Sequence, residues 1–278
     1  MKKIKKLFCN IGNWFKETFR WLFDMKDWKI LLRSIPSLVV ALFILSVVAM
    51  NLLANRELVN WTWVSDGPFA GIGLGLDCGF TLSWISFLCM DMICKRFGPK
   101  ASTKISLLAL FVNLALTGVF ALLMLTPGNW GAAYGEAGII NDANNALNST
   151  FSGTWYVVVG SSIAMLVSAI ANSFINYFIG KAIKDNSNSE EMTYKKFAIR
   201  SFVSTGIAQF IDNLVFASIV SKLFFGWSWW MVIICSLVGA VMELLCEVAL
   251  SPVGYKMTKN WQKENVGSEY LNYVSEVK

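Results

Sequence analysis

Long apolar runs alternate along this chain with shorter polar and basic segments. A helix needs about 20 mainly apolar residues to cross the hydrocarbon core of a bilayer, and six runs are close to that length or longer. They cover residues 36–54, 69–93, 105–125, 155–179, 197–220 and 230–253. Because backbone amides inside lipid must be paired within their own segment, such runs are expected to be helices. The pattern therefore predicts an all-α, polytopic membrane protein with six transmembrane helices.

The N-terminal stretch before the first run has a different pattern. Its apolar residues, such as Leu7, Phe15 and Phe19, recur at helical spacing opposite Lys16 and Arg20. A basic helix with one apolar face lies in the membrane interface rather than across the membrane. We therefore divide the chain into an amphipathic interfacial segment, a six-helix transmembrane domain and a cytoplasmic tail, over residues 1–34, 35–258 and 259–278.

The composition agrees with a surface that faces lipid. Hydrophobic residues make up 55% of the 278 positions and charged residues 15%, whereas soluble domains carry about 25% charged residues. So few polar side chains cannot coat a water-soluble protein of this length. The net charge of +6 is concentrated in the gaps between the apolar runs. This distribution favours a role in membrane topology over nucleic-acid binding.

The basic residues also predict the orientation of the chain. Of the 24 Lys and Arg residues, all except Arg56 and Lys222 lie on one side of the predicted topology. Because positive residues are retained in the cytoplasm, we expect both termini to be cytoplasmic in a cell inner or plasma membrane, with loop 126–150 outside. Trp prefers the membrane interface, and two clusters are expected at the outer one. They are Trp61 with Trp63, and Trp227 with Trp229 and Trp230.

Several kinds of chemistry lack their usual residues in this sequence. There is no His, and none of the six Cys residues forms a Cys-x-x-Cys pair, so we expect no metal and no cofactor. No phosphate-binding loop is present, so the chain cannot hydrolyse ATP by itself. Segment 71–79 contains four glycines and Asp77. We expect these glycines either to break the second helix and expose its backbone to a ligand, or to permit close helix packing.

Carboxylates and amides inside the predicted spans are the candidate functional residues. A charged residue at bilayer depth costs at least about 2.5 kcal/mol on insertion scales, so each one calls for an explanation. On the fifth span, Thr205, Gln209, Asp212 and Asn213 recur along one helical face. The four-residue spacing that places two side chains on one face recurs in three other spans, at Asn113 with Thr117, Asn172 with Asn176, and Glu243 with Glu247.

Such inward polar stripes have two interpretations. They line a cavity for a small polar solute, or they hold helices together through contacts of about 0.6–2 kcal/mol each. Under the first interpretation, the substrate-binding candidates are Asp212, Gln209, Asn213, Asn172, Asn176 and Glu247. The candidate gating or structural carboxylates are Asp91, Asp77 and Glu243.

Three segments resemble the VUT family of queuosine-precursor transporters. In the first, an apolar run reaches Asp91 and then Gly98 seven residues later. In the second, Gly206 precedes Asp212 and an apolar run that contains Phe. Glu247, with the Pro and Tyr that follow it, is similar to the closing helix of the family. The likeness extends over about residues 42–259 in order and spacing.

The resemblance implies a six-helix, secondary-type importer of deazaguanine bases, the precursors of queuosine. Carried over by position, Asp91 and Asp212 would be functional carboxylates, with Asn172, Gln209 and Glu247 beside the pocket. A carboxylate can accept two hydrogen bonds from the donor edge of such a base. The implied partners are a small planar heterocyclic substrate and the lipid bilayer, and formation of a homo-oligomer stays open.

Three other functions stay open at this point. A substrate-capture subunit of an ATP-driven vitamin transporter would also have six helices and would need a separate ATPase. A membrane-embedded enzyme is a second alternative, because paired carboxylates can perform acid–base catalysis. A purely structural membrane protein is the third, although the carboxylates inside the spans argue against it.

Overall fold

The structure, a computed structural model, describes residues 23–126, 137–153, 155–182 and 194–277. The described elements, in chain order, are α1 (Met25–Ser34), α2 (Ser37–Leu53), β1 (Glu57–Val64), β2 (Ile72–Asp77), α3 (Phe80–Phe97), α4 (Pro99–Met124), α5 (Ala137–Gly153), α6 (Trp155–Ala182), α7 (Tyr194–Phe216), α8 (Lys222–Phe225), α9 (Trp229–Lys263) and α10 (Ser268–Val277). A π-helical turn, Ala217–Ser221, joins α7 to α8.

The helical, multi-pass character predicted from the sequence is confirmed. Within the described ranges, four helical stretches are long and apolar enough to cross a membrane: Lys100–Met124, Asn144–Ser168, Thr205–Phe225 and Trp229–Lys263. Helices α1 and α2 would make a fifth span if counted together, with a bend of 104° between them. The described part of the chain therefore has four or five candidate spans, against the six predicted.

The second predicted span is wrong in its first part, because a β-hairpin replaces the helix there. Strands β1 and β2 are antiparallel, and Thr62 pairs with Gly73. Gly disfavours a helix, and a side chain at Gly73 would collide with the carbonyl oxygen of Trp61, so the close strand approach requires glycine. The helix begins at Phe80, whose backbone N–H donates to Asp77 Oδ1 at 3.1 Å. The glycine-rich segment therefore forms a strand over Ile72–Asp77 instead of a helix that the glycines would break.

The predicted outer loop at 126–150 also needs correction. Helix α5 occupies Ala137–Gly153, and residues 127–136 lie outside the described ranges. Phe151 of α5 packs edge-to-face on Phe120 of α4, with ring centroids 5.1 Å apart. Apolar contact of this kind stabilises helix α5, although the polar composition of the segment predicted a loop.

The predicted interfacial segment falls largely outside the description, since residues 1–22 are not described. Its last part forms α1, which is capped by the Asp24 carboxylate. Asp24 accepts from the backbone N–H groups of Asp27 and Lys26 at 3.2 and 3.0 Å, an N-terminal cap that satisfies otherwise unpaired donors. The hydrogen bond from the Asp27 N–H is the main reason why the pKa of Asp24 lies below its usual range.

One end of the bundle, here called the terminal end, is formed by α1, α10 and the second half of α9. Helix α9 has 35 residues and is about 52 Å long at 1.5 Å per residue, so it extends beyond a hydrocarbon core of about 30 Å. Trp261 of α9 and Tyr270 of α10 pack with Leu31 and Phe97 in one buried cluster. Residues of the predicted tail therefore fold back onto α1.

Candidate functional site

A cavity lies at the opposite end of the bundle, here called the hairpin end, between α2, β2, α3, α6, α7, the π-helical turn and α9. Its enclosed part is about 120 Å³, and the space between the lining residues is about 780 Å³ once the open mouth is included. Its apolar wall includes Phe80, Phe87 and Phe216. The remaining wall is polar, and the two kinds of surface together suit a ligand with a flat apolar body and polar edges.

Three carboxylates line this cavity, namely Asp77, Asp212 and Glu243. Among the described residues, the lining contains neither Lys nor Arg. Carboxylate oxygens are acceptors, and like charges confined in a space of low dielectric constant repel one another. A ligand that brings hydrogen-bond donors or positive charge to this wall is therefore favoured over an anion.

Asp212 is held in place from the neighbouring helix α6. The Ser168 hydroxyl donates to Asp212 Oδ1 at 2.7 Å. This hydrogen bond restrains the orientation of the carboxylate, and Asp212 lines the cavity. A carboxylate fixed in this way is preorganised to accept from a ligand.

Asn213 and Glu243 connect α7 to α9 at the same depth. Asn213 Nδ2 donates to Glu243 Oε2 at 3.1 Å. The two helices approach closely there because Gly239 has no side chain; a Cβ atom at this position would lie 3.1 Å from Asn213 Nδ2. Small residues permit this kind of close packing between membrane helices. Asn213 thus supports Glu243 as well as lining the cavity.

Gln209 and Glu247 form a second pair about one helical turn away from the cavity. The Gln209 Nε2 to Glu247 Oε2 distance is 3.5 Å, at the long limit of a hydrogen bond. Gln209 is 2% exposed, and its Oε1 atom has no hydrogen-bond partner among the described residues. Neither residue lines the cavity, so the structure separates this pair from the other substrate-binding candidates.

The remaining candidates are placed elsewhere or lie outside the description. Asp91 forms an ion pair with Lys95, and both residues lie in α3. Both side chains are partly exposed and lie away from the cavity. The side chains of Asn172 and Asn176 on α6 lie outside the described residues. A functional role for Asp91 stays a prediction.

Sequence reasoning did not single out most of the residues that line the cavity, and Asn51 and Trp227 are two instructive cases. Asn51 of α2 is buried in the wall, and its polar side chain inside an apolar run was an available signal. Trp227 was expected at the outer membrane interface with Trp229 and Trp230. The latter two are exposed, but Trp227 is only 8% exposed and lines the cavity. Its neighbours in sequence gave no indication of this difference.

The position of the Trp227 indole depends on strand β2. A Cβ atom at Gly75 would lie 2.4 Å from Trp227 Cζ2, so glycine at this position makes room for the indole. The Gly75 N–H in turn points to Cys235 Sγ of α9, at 2.9 Å. The glycine-rich strand therefore forms part of the cavity wall.

Comparison with known proteins assigns a family to this arrangement. A family model described as "Putative vitamin uptake transporter" matches residues 77–257. The match includes Asp77, Asp212 and Glu243, the three carboxylates of the cavity. No curated protein and no solved structure matches the chain.

Proposed function

The chain belongs to the vitamin uptake transporter family, and from this premise we propose that it is a secondary-type importer of a small planar heterocycle. The proposed substrate is a deazaguanine base of the queuosine-precursor class, taken up across the cell membrane. The observation that carries the proposal is the cavity at the hairpin end, which three carboxylates and three Phe side chains line together.

The chemistry of a deazaguanine base matches this wall. Its ring N–H and exocyclic amino group are adjacent donors, and one carboxylate can accept from both. The faces of the flat ring are apolar and pack well on aromatic side chains, which Phe80, Phe87 and Phe216 supply. Asp212 is the proposed principal ligand, because its other oxygen is already fixed by Ser168. Asn213 and Glu243 complete the polar side of the site.

The first test is uptake by the purified chain in liposomes that contain no ATP and no other protein. We expect labelled 7-deazaguanine to accumulate in these vesicles and to exceed the amount taken up by protein-free vesicles. In a cell that cannot synthesise the precursor, expression of the chain should restore queuosine in tRNA when a deazaguanine precursor that already carries its substituent at ring position 7 is supplied. Binding without uptake in liposomes would instead support the substrate-capture subunit, and absence of binding would refute the proposed substrate.

The glycine that accommodates Trp227 provides a second test. We expect Gly75→Ala to weaken 7-deazaguanine binding, because the new Cβ atom would lie 2.4 Å from Trp227 Cζ2 and 2.9 Å from Met231 Cε, forcing the indole to move. Overpacking of this kind costs about 1–3 kcal/mol. The matched control is Gly118→Ala in α4, where a Cβ atom would meet nothing within 4 Å. Isothermal titration in detergent should separate the two variants, and equal affinities would refute this account of the wall.

A further inference from the structure

The Trp227 indole is buried in the cavity wall with its polar atom unused. Trp227 is 8% exposed, and its Nε1 atom has no hydrogen-bond partner among the described residues. A buried indole N–H usually has a partner, because leaving a buried donor unpaired is unfavourable. An unpaired donor in the wall of a ligand cavity therefore indicates that the ligand supplies the acceptor.

The backbone around Trp227 fixes the position of the indole. The backbone N–H of Trp227 donates to the Ser221 carbonyl at 3.2 Å, and Lys222 Nζ donates to the backbone carbonyl of Trp227 at 3.2 Å. Gly226, directly before it, has a φ angle of 72°, in the left-handed region that favours glycine. On its other side the indole contacts Gly75 of β2, as described above. The Trp227 side chain is thus restrained by its own backbone on one side and by β2 on the other.

Other donors of the cavity wall are already engaged. The Ser83 hydroxyl donates to the Phe80 carbonyl at 2.9 Å, and the Ser236 hydroxyl donates to the Val232 carbonyl at 2.6 Å. Asn213 uses one of its two amide N–H donors on Glu243. Among the described residues of the lining, the Trp227 indole N–H is the buried side-chain donor that has no partner, so it is available to select for an acceptor atom of a ligand.

We propose that Trp227 is a specificity-determining residue, whose indole N–H donates a hydrogen bond to an acceptor atom of the substrate while a carboxylate accepts from the adjacent donors. This inference rests on the proposed function and deepens it. In a guanine-type base the acceptor beside the ring N–H and amino donors is the exocyclic carbonyl oxygen. Trp227 then distinguishes a base with a carbonyl at this position from one with an amino group there, since two donors would otherwise face each other.

The test compares two probes, 7-deazaguanine and 7-deaza-2,6-diaminopurine, in which an amino group replaces the carbonyl and the neighbouring ring nitrogen carries no hydrogen. The purified full chain is expected to bind 7-deazaguanine at least about 5- to 150-fold more tightly, the factor that corresponds to one unpaired buried donor. In Trp227→Phe, which keeps an aromatic ring and removes the indole N–H, affinity for 7-deazaguanine should fall by a similar factor and the preference between the probes should shrink by that factor; the preference that remains comes from the ring N–H, which the carboxylate accepts. The matched control is Trp230→Phe, because Trp230 is exposed and packs on Phe69 outside the cavity; it should retain both.

The possible outcomes separate this inference from the function on which it rests. If the unaltered chain binds both bases equally, the role of Trp227 is refuted without any variant, even where Trp227→Phe folds poorly. A folded Trp227→Phe protein that keeps the full preference refutes it as well. If the unaltered chain binds neither base, the proposed function fails, and this inference fails with it.

Discussion

Lys104→Met is expected to lower the free energy of unfolding by about 3–5 kcal/mol, the usual cost of removing one partner of a buried ion pair. Lys104 of α4 is completely buried and pairs with Asp27 of α1. Its ammonium group also lies over the Trp28 ring, 5.2 Å from the centroid. Met preserves the length of the side chain but leaves the Asp27 charge without its cation. Denaturant titration of the purified chain in detergent measures the change.

Two further variants show whether the lost charge is responsible. Lys100→Met changes an exposed residue one turn earlier on α4 and should alter stability by less than about 0.5 kcal/mol. The double variant Lys104→Met with Asp27→Leu removes both charges and should recover most of the loss, because apolar pairs often replace buried ion pairs without cost. If the double variant were as unstable as Lys104→Met alone, the ion pair would not be the source of the effect.

The fold class could be predicted from the sequence because hydropathy reports the solvent directly. Runs such as Lys100–Met124 have a high mean hydropathy even though they include a few polar residues, so they are recognised without knowledge of tertiary contacts. The family was also predictable, since the segments around Asp91 and Asp212 carry the resemblance and the family match contains both. These features depend on local sequence alone.

The β-hairpin could not be predicted from hydropathy, because a strand of six residues has the same apolar content as a piece of helix. What decides its structure is the pairing of Thr62 with Gly73 and the contact of Gly75 with Trp227. The first is a strand pairing, which hydropathy does not report, and the second joins residues far apart in the sequence, outside the window in which a span is recognised. The glycines were the local signal, and two interpretations of them were equally consistent with the sequence.

The carboxylates of the candidate site could be singled out from the sequence, but the set of side chains that line the cavity could not. Helical spacing predicts one polar stripe for Gln209 and Asp212 on α7, yet it does not show which of them reaches a cavity. The structure includes Asp212 in the lining and excludes Gln209, which is buried against Glu247 instead. Trp227 illustrates the same limit, because burial of an aromatic residue is set by elements distant in sequence.

Asp212→Asn is expected to lower the affinity for 7-deazaguanine about tenfold to several hundredfold. Ser168 can still donate to the remaining oxygen of the Asn side chain, so the contact between α6 and α7 is retained. The new amino group replaces the acceptor that would face the donor edge of the base, and two opposed donors cost about 1–3 kcal/mol or more. Titration of the purified variant with 7-deazaguanine measures the affinity, and its melting temperature is recorded in the same preparation.

The control for this substitution is Asp66→Asn, the same chemical change at an exposed position in the turn between β1 and β2. It should leave both affinity and melting temperature unchanged. If Asp212 serves solely as a structural contact between helices, Asp212→Asn should instead lower the melting temperature and leave the affinity of the folded protein intact. Ser168→Ala adds a third comparison: it removes the donor that orients Asp212 but keeps the carboxylate, so we expect a smaller loss of affinity, because the acceptor remains and its preorganisation is reduced.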